Sequence, residues 1–347
     1  MKNIFIENNV CASVWLTKIF SFLTMGWISM EKRNDKPVVC PLCAESGNKK
    51  WLAKATLSAG TDHDLLACLS CGLIFMHPIP DVRLLQAFYS PSYFAEFDRV
   101  KLEGRGRAFA RRYLRRLKPG RFLDVGCAIG AFMHGIQKAS GWNVHGVDIG
   151  ISAVGFARER YKLDARPLQL TEAGFPTAFF DFIHVNNVLE HVTNPLIFMN
   201  ECRRILKPTG QMYLSVPNGA NDNRNLIRFW REEHATPCSK EGHLFFFPPQ
   251  ALHELFTRSG FLILKSRSYG FNRGLRNCGL LPQKKDWKRA YTPQPLNAVK
   301  DPSIFLHVRE GYSYPEWYYR FRLWKTSWGI SGLHSFGLDF LFILHPN

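Results

Sequence analysis

Four cysteines stand in two Cys-x-x-Cys pairs, Cys40/Cys43 and Cys68/Cys71, with 24 residues between the pairs. Each pair offers two thiolates from one turn, and two such turns close a tetrahedral Zn²⁺ shell with no open position. The expected site is structural rather than catalytic. A segment as short as 37–80 cannot bury enough apolar area to fold alone, so metal binding and local folding should be one event. The other five cysteines are scattered singly. Paired thiols in a chain this long read as metal ligation under reducing conditions, not as a disulfide scaffold, and the expected compartment is the cytoplasm.

A second constellation is Asp124-Val125-Gly126-Cys127-Ala128-Ile129-Gly130, between an apolar run and a helical pattern. Gly126 permits a tight turn and lets a ligand approach the backbone, while Gly130 frees the start of the next helix. Gly146-Val147-Asp148 then sets a carboxylate at a strand end, 22 residues after Gly126. An acid at that distance can chelate the two ribose hydroxyls of an adenosine. The spacing argues against a dinucleotide oxidoreductase, because the middle glycine of Gly-x-Gly-x-x-Gly is missing, and a phosphate-binding Lys-Ser/Thr pair is missing too.

These residues need elements to hold them. Phe122–Val125, Asn143–Val147, Phe182–Val185 and Met212–Val216 read as strands, and Ile151–Tyr161 and the segment opened by Asn194-Pro195 read as helices. Ala108–Leu117 is a further helix, with Phe109, Tyr113 and Leu117 on one face. Pro208-Thr209-Gly210 reads as a turn and the residues after Pro217-Asn218 as irregular. Pro248-Pro249 opens a helix to Ser259, followed by the strand Phe261–Leu264, and Phe340–Leu344 reads as a terminal strand. Strands alternating with helices predict an α/β fold whose parallel sheet is covered on both faces.

Composition sets outer limits. The chain has 347 residues, with 46% hydrophobic and 14% aromatic residues, which exclude a disordered chain. Without 18 uninterrupted apolar residues, a polytopic membrane protein is excluded. The 45 Lys+Arg against 28 Asp+Glu give a net charge of +17, enough to attract nucleic acid or an anionic substrate. The apolar stretch 10–30 carries Lys18 and lacks a small-residue cleavage site. Translation beginning at Met30 is the expectation there, an export or membrane segment the rival.

Phe122–Gly130, Gly146-Val147-Asp148, the segment from Phe180 to Pro195 and Arg203–Gln211 together resemble a class I S-adenosylmethionine-dependent methyltransferase. The resemblance covers roughly residues 115–268. It implies a Rossmann-like, doubly wound seven-stranded sheet with the last strand antiparallel. It also implies that Asp124 lies near the methionine end of S-adenosylmethionine, that Gly126, Ala128, Gly130 and Ile149 line the cofactor, that Asp148 holds the ribose, and that Asn186 faces the sulfonium. Ala128 stands where the family usually has a glycine. Leu168-Gln169-Leu170-Thr171 stands where an Asp often meets the adenine, which leaves that contact to Gln169 or neighbouring backbone. Cys71–Phe75, Pro78–Pro80, Phe88-Tyr89 and Tyr93-Phe94 resemble the N-terminal zinc-ribbon module of bacterial methyltransferases associated with sugars and polysaccharides. The organisation so read is a leader (1–36), a zinc ribbon with an aromatic linker (37–95), a methyltransferase core (96–275) and a segment completing the sheet (276–347).

Transfer to a hydroxyl needs its proton removed. His191 follows the fourth strand of the core and is the first candidate base, with Glu190 to orient it. His243, in Gly242-His243-Leu244-Phe245, is the second. Some quinone O-methyltransferases resemble this segment but carry a further Glu where Asn187 stands, so no catalytic metal is expected. The expected acceptor is a small molecule or glycan, such as a nucleotide-sugar. The rivals are an rRNA or tRNA methyltransferase using the ribbon and the basic run Arg99–Arg121, and a non-catalytic zinc-stapled binding module.

Overall fold

The computed structural model describes residues 37–57, 61–89, 93–94, 97–239, 242–277, 280–292, 318, 330–331 and 339–347. The leader reading of 1–36 lies outside them. Lys49–Leu57 (β1) buries Ala53, Ala55 and Leu57 in alternation, as a strand with one covered face must. Asp62–Cys68 (β2) and Ile74–His77 (β3) complete an antiparallel meander with it. Three strands thus occupy the segment that carries the paired cysteines.

The α/β part follows. Asp98 caps the helix Arg99–Phe109 by accepting from Lys101 N, and a π-helical turn, Ala110–Leu114, extends it. The helix therefore begins well before Ala108. In chain order the helices are α1 (Val82–Phe88), α2 (Arg99–Phe109), α3 (Ala131–Ala139), α4 (Ile151–Tyr161), α5 (Pro195–Ile205), α6 (Gly219–Glu233), α7 (Pro249–Arg258) and α8 (Phe271–Asn277). The strands continue as β4 (Arg121–Val125), β5 (Asn143–Val147), β6 (Asp164–Arg166), β7 (Phe180–Asn186), β8 (Leu206–Pro217), β9 (Cys238–Ser239), β10 (Phe245–Phe246), β11 (Phe261–Tyr269), β12 (Ile330–Ser331) and β13 (Asp339–Pro346).

The large sheet runs β12-β11-β13-β8-β7-β4-β5-β6. Seven strands form the expected Rossmann-like sheet, and β13 lies antiparallel between β8 and β11. The two-residue β12 adds an eighth at the edge. Side chains alternate across it. Leu123, Val125, Ile183, Val185 and Leu214 share one core cluster with Met199, Leu255 and Phe256 of α5 and α7. Phe122, Phe182 and Tyr213 join Phe109, Met133 and Ile136 of α2 and α3 in another. Covering both faces is what a parallel sheet requires.

Two sequence expectations differ from the structure. Residues after Asn218 are helical, not irregular: the Asn218 side chain accepts from Ala220 N, and Leu226 and Phe229 are buried along α6. The many Asn residues of this helix hide its period, yet Asn221, Asn223 and Asn225 are themselves buried. Pro208–Gly210, read as a turn, belongs to the start of β8.

The small sheet is completed from downstream, in the order β10-β3-β2-β1-β9. β9 pairs parallel with β1 and β10 antiparallel with β3. One core cluster includes Leu42, Leu65, Phe75 and Met76 of the cysteine module together with Phe245, Phe247, Leu252 and Val216. Residues Val38–Asn347 form one unit, and no described helix is long and apolar enough to cross a membrane.

α2 and α3 meet backbone to backbone. A Cβ on Gly106 would fall inside the Phe132 carbonyl, and one on Gly135 inside the Glu103 carbonyl. Neither neighbour can swing away. Gly135→Ala should therefore cost about 1–3 kcal/mol through overpacking, despite alanine's better helix propensity. Gly155→Ala in α4, with nothing within 4 Å of its added methyl, should add up to about 1 kcal/mol. Chemical denaturation midpoints moving in opposite directions would bear this out; a stabilised Gly135→Ala would refute the close approach.

Candidate active site

Strand order reverses between β4 and β7, the neighbours from which connections wind in opposite directions, and such a switch point opens a crevice at the carboxyl ends of the strands. A cavity of about 810 Å³ lies there, within the roughly 300–1,000 Å³ usual for small-molecule sites. Its floor is the loop after β4. Gly126 and Ala128 both have positive φ, +77° and +48°, conformations that bare backbone adopts freely and alanine tolerates at some cost. A Cβ on Gly126 would strike the Val188 side chain. Gly130 is not part of the lining. It starts α3 at φ +73°, and a Cβ there would approach the Ala157 Cβ to 2.6 Å.

Asp148 directly follows β5 and lines the cavity. Its Oδ2 accepts from Ala128 N at 2.8 Å and its Oδ1 from Gly150 N at 2.7 Å. The carboxylate is thereby fixed by two backbone donors, one from each loop, with further lone pairs available to a ligand. Burial pushes its pKa up to about 6, against the pull of those two hydrogen bonds.

Asp124 and His184 are register partners on β4 and β7. His184 Nδ1 lies 2.7 Å from Asp124 Oδ1, and both are buried and border the cavity. Phe132 and Tyr213 stack near the imidazole, with centroids at 4.6 and 5.1 Å. Ile149, Gln169 and Asn186 also line the cavity. A chain of aromatic contacts closes one side: Tyr89 to Tyr93 at 5.0 Å, Tyr93 to Phe94 at 5.1 Å and Phe94 to Phe97 at 5.4 Å. Lys101 and Arg105, one turn apart on α2, bring positive charge to the same wall.

Glu190, His191 and His243 come together although 51 residues separate the histidine-bearing turns. The backbone does this: Leu244 N and Phe245 N both donate to the Glu190 carbonyl, at 2.8 and 3.1 Å. Glu190 Oε1 lies 3.7 Å from His191 Nε2 and 4.0 Å from His243 Nε2. His191 Nδ1 is 3.2 Å from the Gly242 carbonyl, and His243 Nδ1 is 2.6 Å from Asp222 Oδ2. His191 borders the cavity; Glu190 and His243 stand behind it. Burial raises the Glu190 pKa to about 8 and holds His191 well below its ordinary range.

Cys40, Cys43, Cys68 and Cys71 also converge, their sulfurs all within 4.8 Å of one another. Cys40–Cys71 and Cys43–Cys68 are 3.7 and 3.6 Å apart. A tetrahedral shell with Zn–S bonds of about 2.3 Å has edges of about 3.8 Å, so the donors fit zinc.

Sequence reasoning missed His184 and Asp222, and read Lys101 and Arg105 only as part of the basic run Arg99–Arg121. Polar residues at matching places in two apolar strands, Asp124 in FLDV and His184 in FIHV, were the available signal for the first. Asp222 carried none, since its helix went unread.

Residues 96–266 match a family model described as a methyltransferase domain. The ubiquinone biosynthesis O-methyltransferase of Dechloromonas aromatica is 36% identical over 104 residues, 28% of this chain and 44% of that protein. The 2-methyl-6-phytyl-1,4-hydroquinone methyltransferase of Synechocystis is 29% identical over 121 residues, 33% of this chain and 38% of that protein. The chain thus spans less than half the length of these two curated relatives. A solved SAM-dependent methyltransferase from Archaeoglobus fulgidus superposes with a TM-score of 0.40 at 19% identity, covering 69% of this chain and 92% of that one. Residues 96–266 of this chain are a class I S-adenosylmethionine-dependent methyltransferase domain.

Proposed function

We propose that the chain transfers a methyl group from S-adenosylmethionine to a small, anionic, ring-bearing acceptor of the nucleotide-sugar or glycan kind. The observation that carries this is the doubly anchored Asp148 carboxylate over the positive-φ loop. It offers fixed acceptors for a ribose diol beside backbone bare enough for close approach. Ile149 and Gln169 would flank the adenine, with Asp124, Gly126 and Asn186 toward the methionine end. When bound, the sulfonium supplies an electrophilic methyl group. The protein's share is alignment of the acceptor and removal of its proton. His191, kept neutral by burial, borders the cavity with Glu190 and His243 behind it, so the proton leaves on that side. The aromatic chain from Tyr89 to Phe97 excludes water and offers flat faces for a sugar ring, and Lys101 and Arg105 suit a phosphate. The names of the relatives favour a second reading, a hydroxyl on a quinol ring. The four cysteines hold a structural zinc in this reading, and their reduced state fits the cytoplasm.

Asp148→Ala should weaken S-adenosylmethionine binding about 10–100-fold, the worth of roughly 1.5–3 kcal/mol for hydrogen bonds to a charged group. The ionised carboxylate is the better acceptor, so affinity should decline as pH falls through about 6, and Asp148→Asn should flatten that decline. Calorimetry measures both; wild-type affinity in Asp148→Ala would remove the proposed pocket.

For the acceptor, methyl-labelled cofactor is offered with nucleotide-sugars, glycolipids, polyprenyl phenols and RNA. Label should enter the sugar arm, with a raised KM in Lys101→Ala. Label in the phenol arm selects the quinol reading, and label in RNA alone overturns both.

Elemental analysis should find zinc, with less of it in Cys68→Ser than in the wild type. Chelation should loosen β1–β3, seen as lost amide protection there. Protection unchanged after full chelation would refute a structural metal.

A further inference from the structure

Among the described residues, Glu190 is the buried acid whose state the fold does not explain. It is 1% exposed, and neither carboxylate oxygen has a hydrogen-bond partner. A buried carboxyl with neither oxygen partnered is costly, and such a group in a folded protein calls for an occupant that compensates it. Three donors converge there: Glu190, His191 and His243 each bring one ligand atom within 4.8 Å of the others, and Glu190 Oε1 faces both Nε2 atoms.

We infer that Glu190, His191 and His243 form a second metal centre, separate from the four cysteines, that binds a divalent first-row transition ion beside the acceptor cavity. Ligand atoms of such an ion stand roughly 2.0–2.2 Å from it, so the 3.7 and 4.0 Å separations from Glu190 to the two imidazoles need only a small contraction. The surroundings have the form such a site requires. Metal-bound histidines characteristically donate their other ring nitrogen to a carboxylate or backbone carbonyl, which fixes the tautomer. His243 Nδ1 does so to Asp222 at 2.6 Å and His191 Nδ1 to the Gly242 carbonyl at 3.2 Å. With Nδ1 donating, Nε2 carries the lone pair, and in both rings Nε2 is the atom facing Glu190.

Two imidazoles with one carboxylate suit Zn²⁺, Co²⁺ or Mn²⁺, whereas Mg²⁺ prefers an all-oxygen shell. Three protein ligands leave a coordination position open, and His191 places it on the cavity side. An acceptor oxygen entering that position would lose its proton more readily. The argument from Asn187 against a metal rested on the turn after β7 alone; the third donor comes instead from His243, beside β10. This deepens the methyl-transfer reading by naming what activates the acceptor, but metal binding is read without turnover.

The test is Co²⁺ titration of the full chain with zinc already in the cysteine site. One further equivalent should bind with visible d–d bands and no new thiolate charge-transfer band. Glu190→Gln and His243→Ala should abolish those bands, and Asp222→Asn should weaken binding roughly 10–100-fold. Thermal melting and retained zinc in each variant show that it has folded. Failure of the zinc-loaded wild type to bind further Co²⁺, or equal binding by Glu190→Gln, would overturn the site. Methyl transfer persisting in that case would leave the methyltransferase reading standing, with His191 a metal-free proton acceptor.

Discussion

A single carboxylate ties the two loops of the cavity floor together. Asp148 belongs to the loop after β5, yet one of its oxygens holds Ala128 of the loop after β4. The other holds Gly150, the residue before α4. Ala128 stays at φ +48°, a strained choice for a residue with a side chain, because this hydrogen bond and the α3 start fix both ends of the turn. The same contact that shapes the loop also orients a carboxylate that lines the cavity, so backbone conformation and cavity chemistry share one interaction. Its raised pKa is the cost of placing a charge where water is scarce.

The cysteine module is bound into the α/β unit. β9 and β10 leave the chain between α6 and α7, extend the small sheet on both edges, and return. In doing so they cover edges that would otherwise invite pairing with other chains. They also carry Gly242 and His243 to Glu190, where two backbone hydrogen bonds secure them. The small sheet is thereby tied to the turn after β7, which borders the cavity through His191.

The alternating strands and helices, the loop at Gly126 and the acid at Asp148 were legible because each is a local pattern: an apolar run, a glycine, a carboxylate at a strand end; the count of seven strands came only from the family resemblance. The pairing of the cysteines was legible for the same reason. What stayed hidden depends on register or on long-range contact. Asp124 and His184 are 60 residues apart and meet only because β4 and β7 are adjacent and in step. β9 and β10 are two residues each and have no period to read. Asp222 lies on a helix whose buried face is partly asparagine, so hydrophobic periodicity could not find it.

The antiparallel β13 has a bearing on synthesis. It sits between β8 and β11, yet Asp339 follows Tyr269 by 70 residues. A ribosome adding about 5–20 residues per second needs roughly 4–14 s to cover that distance. During those seconds β8 and β11 face an open slot with unpaired amides on both sides, the kind of edge that recruits foreign strands. The emerging chain is thus most vulnerable to aggregation late, after the crevice at the strand ends has been made and before the sheet is sealed.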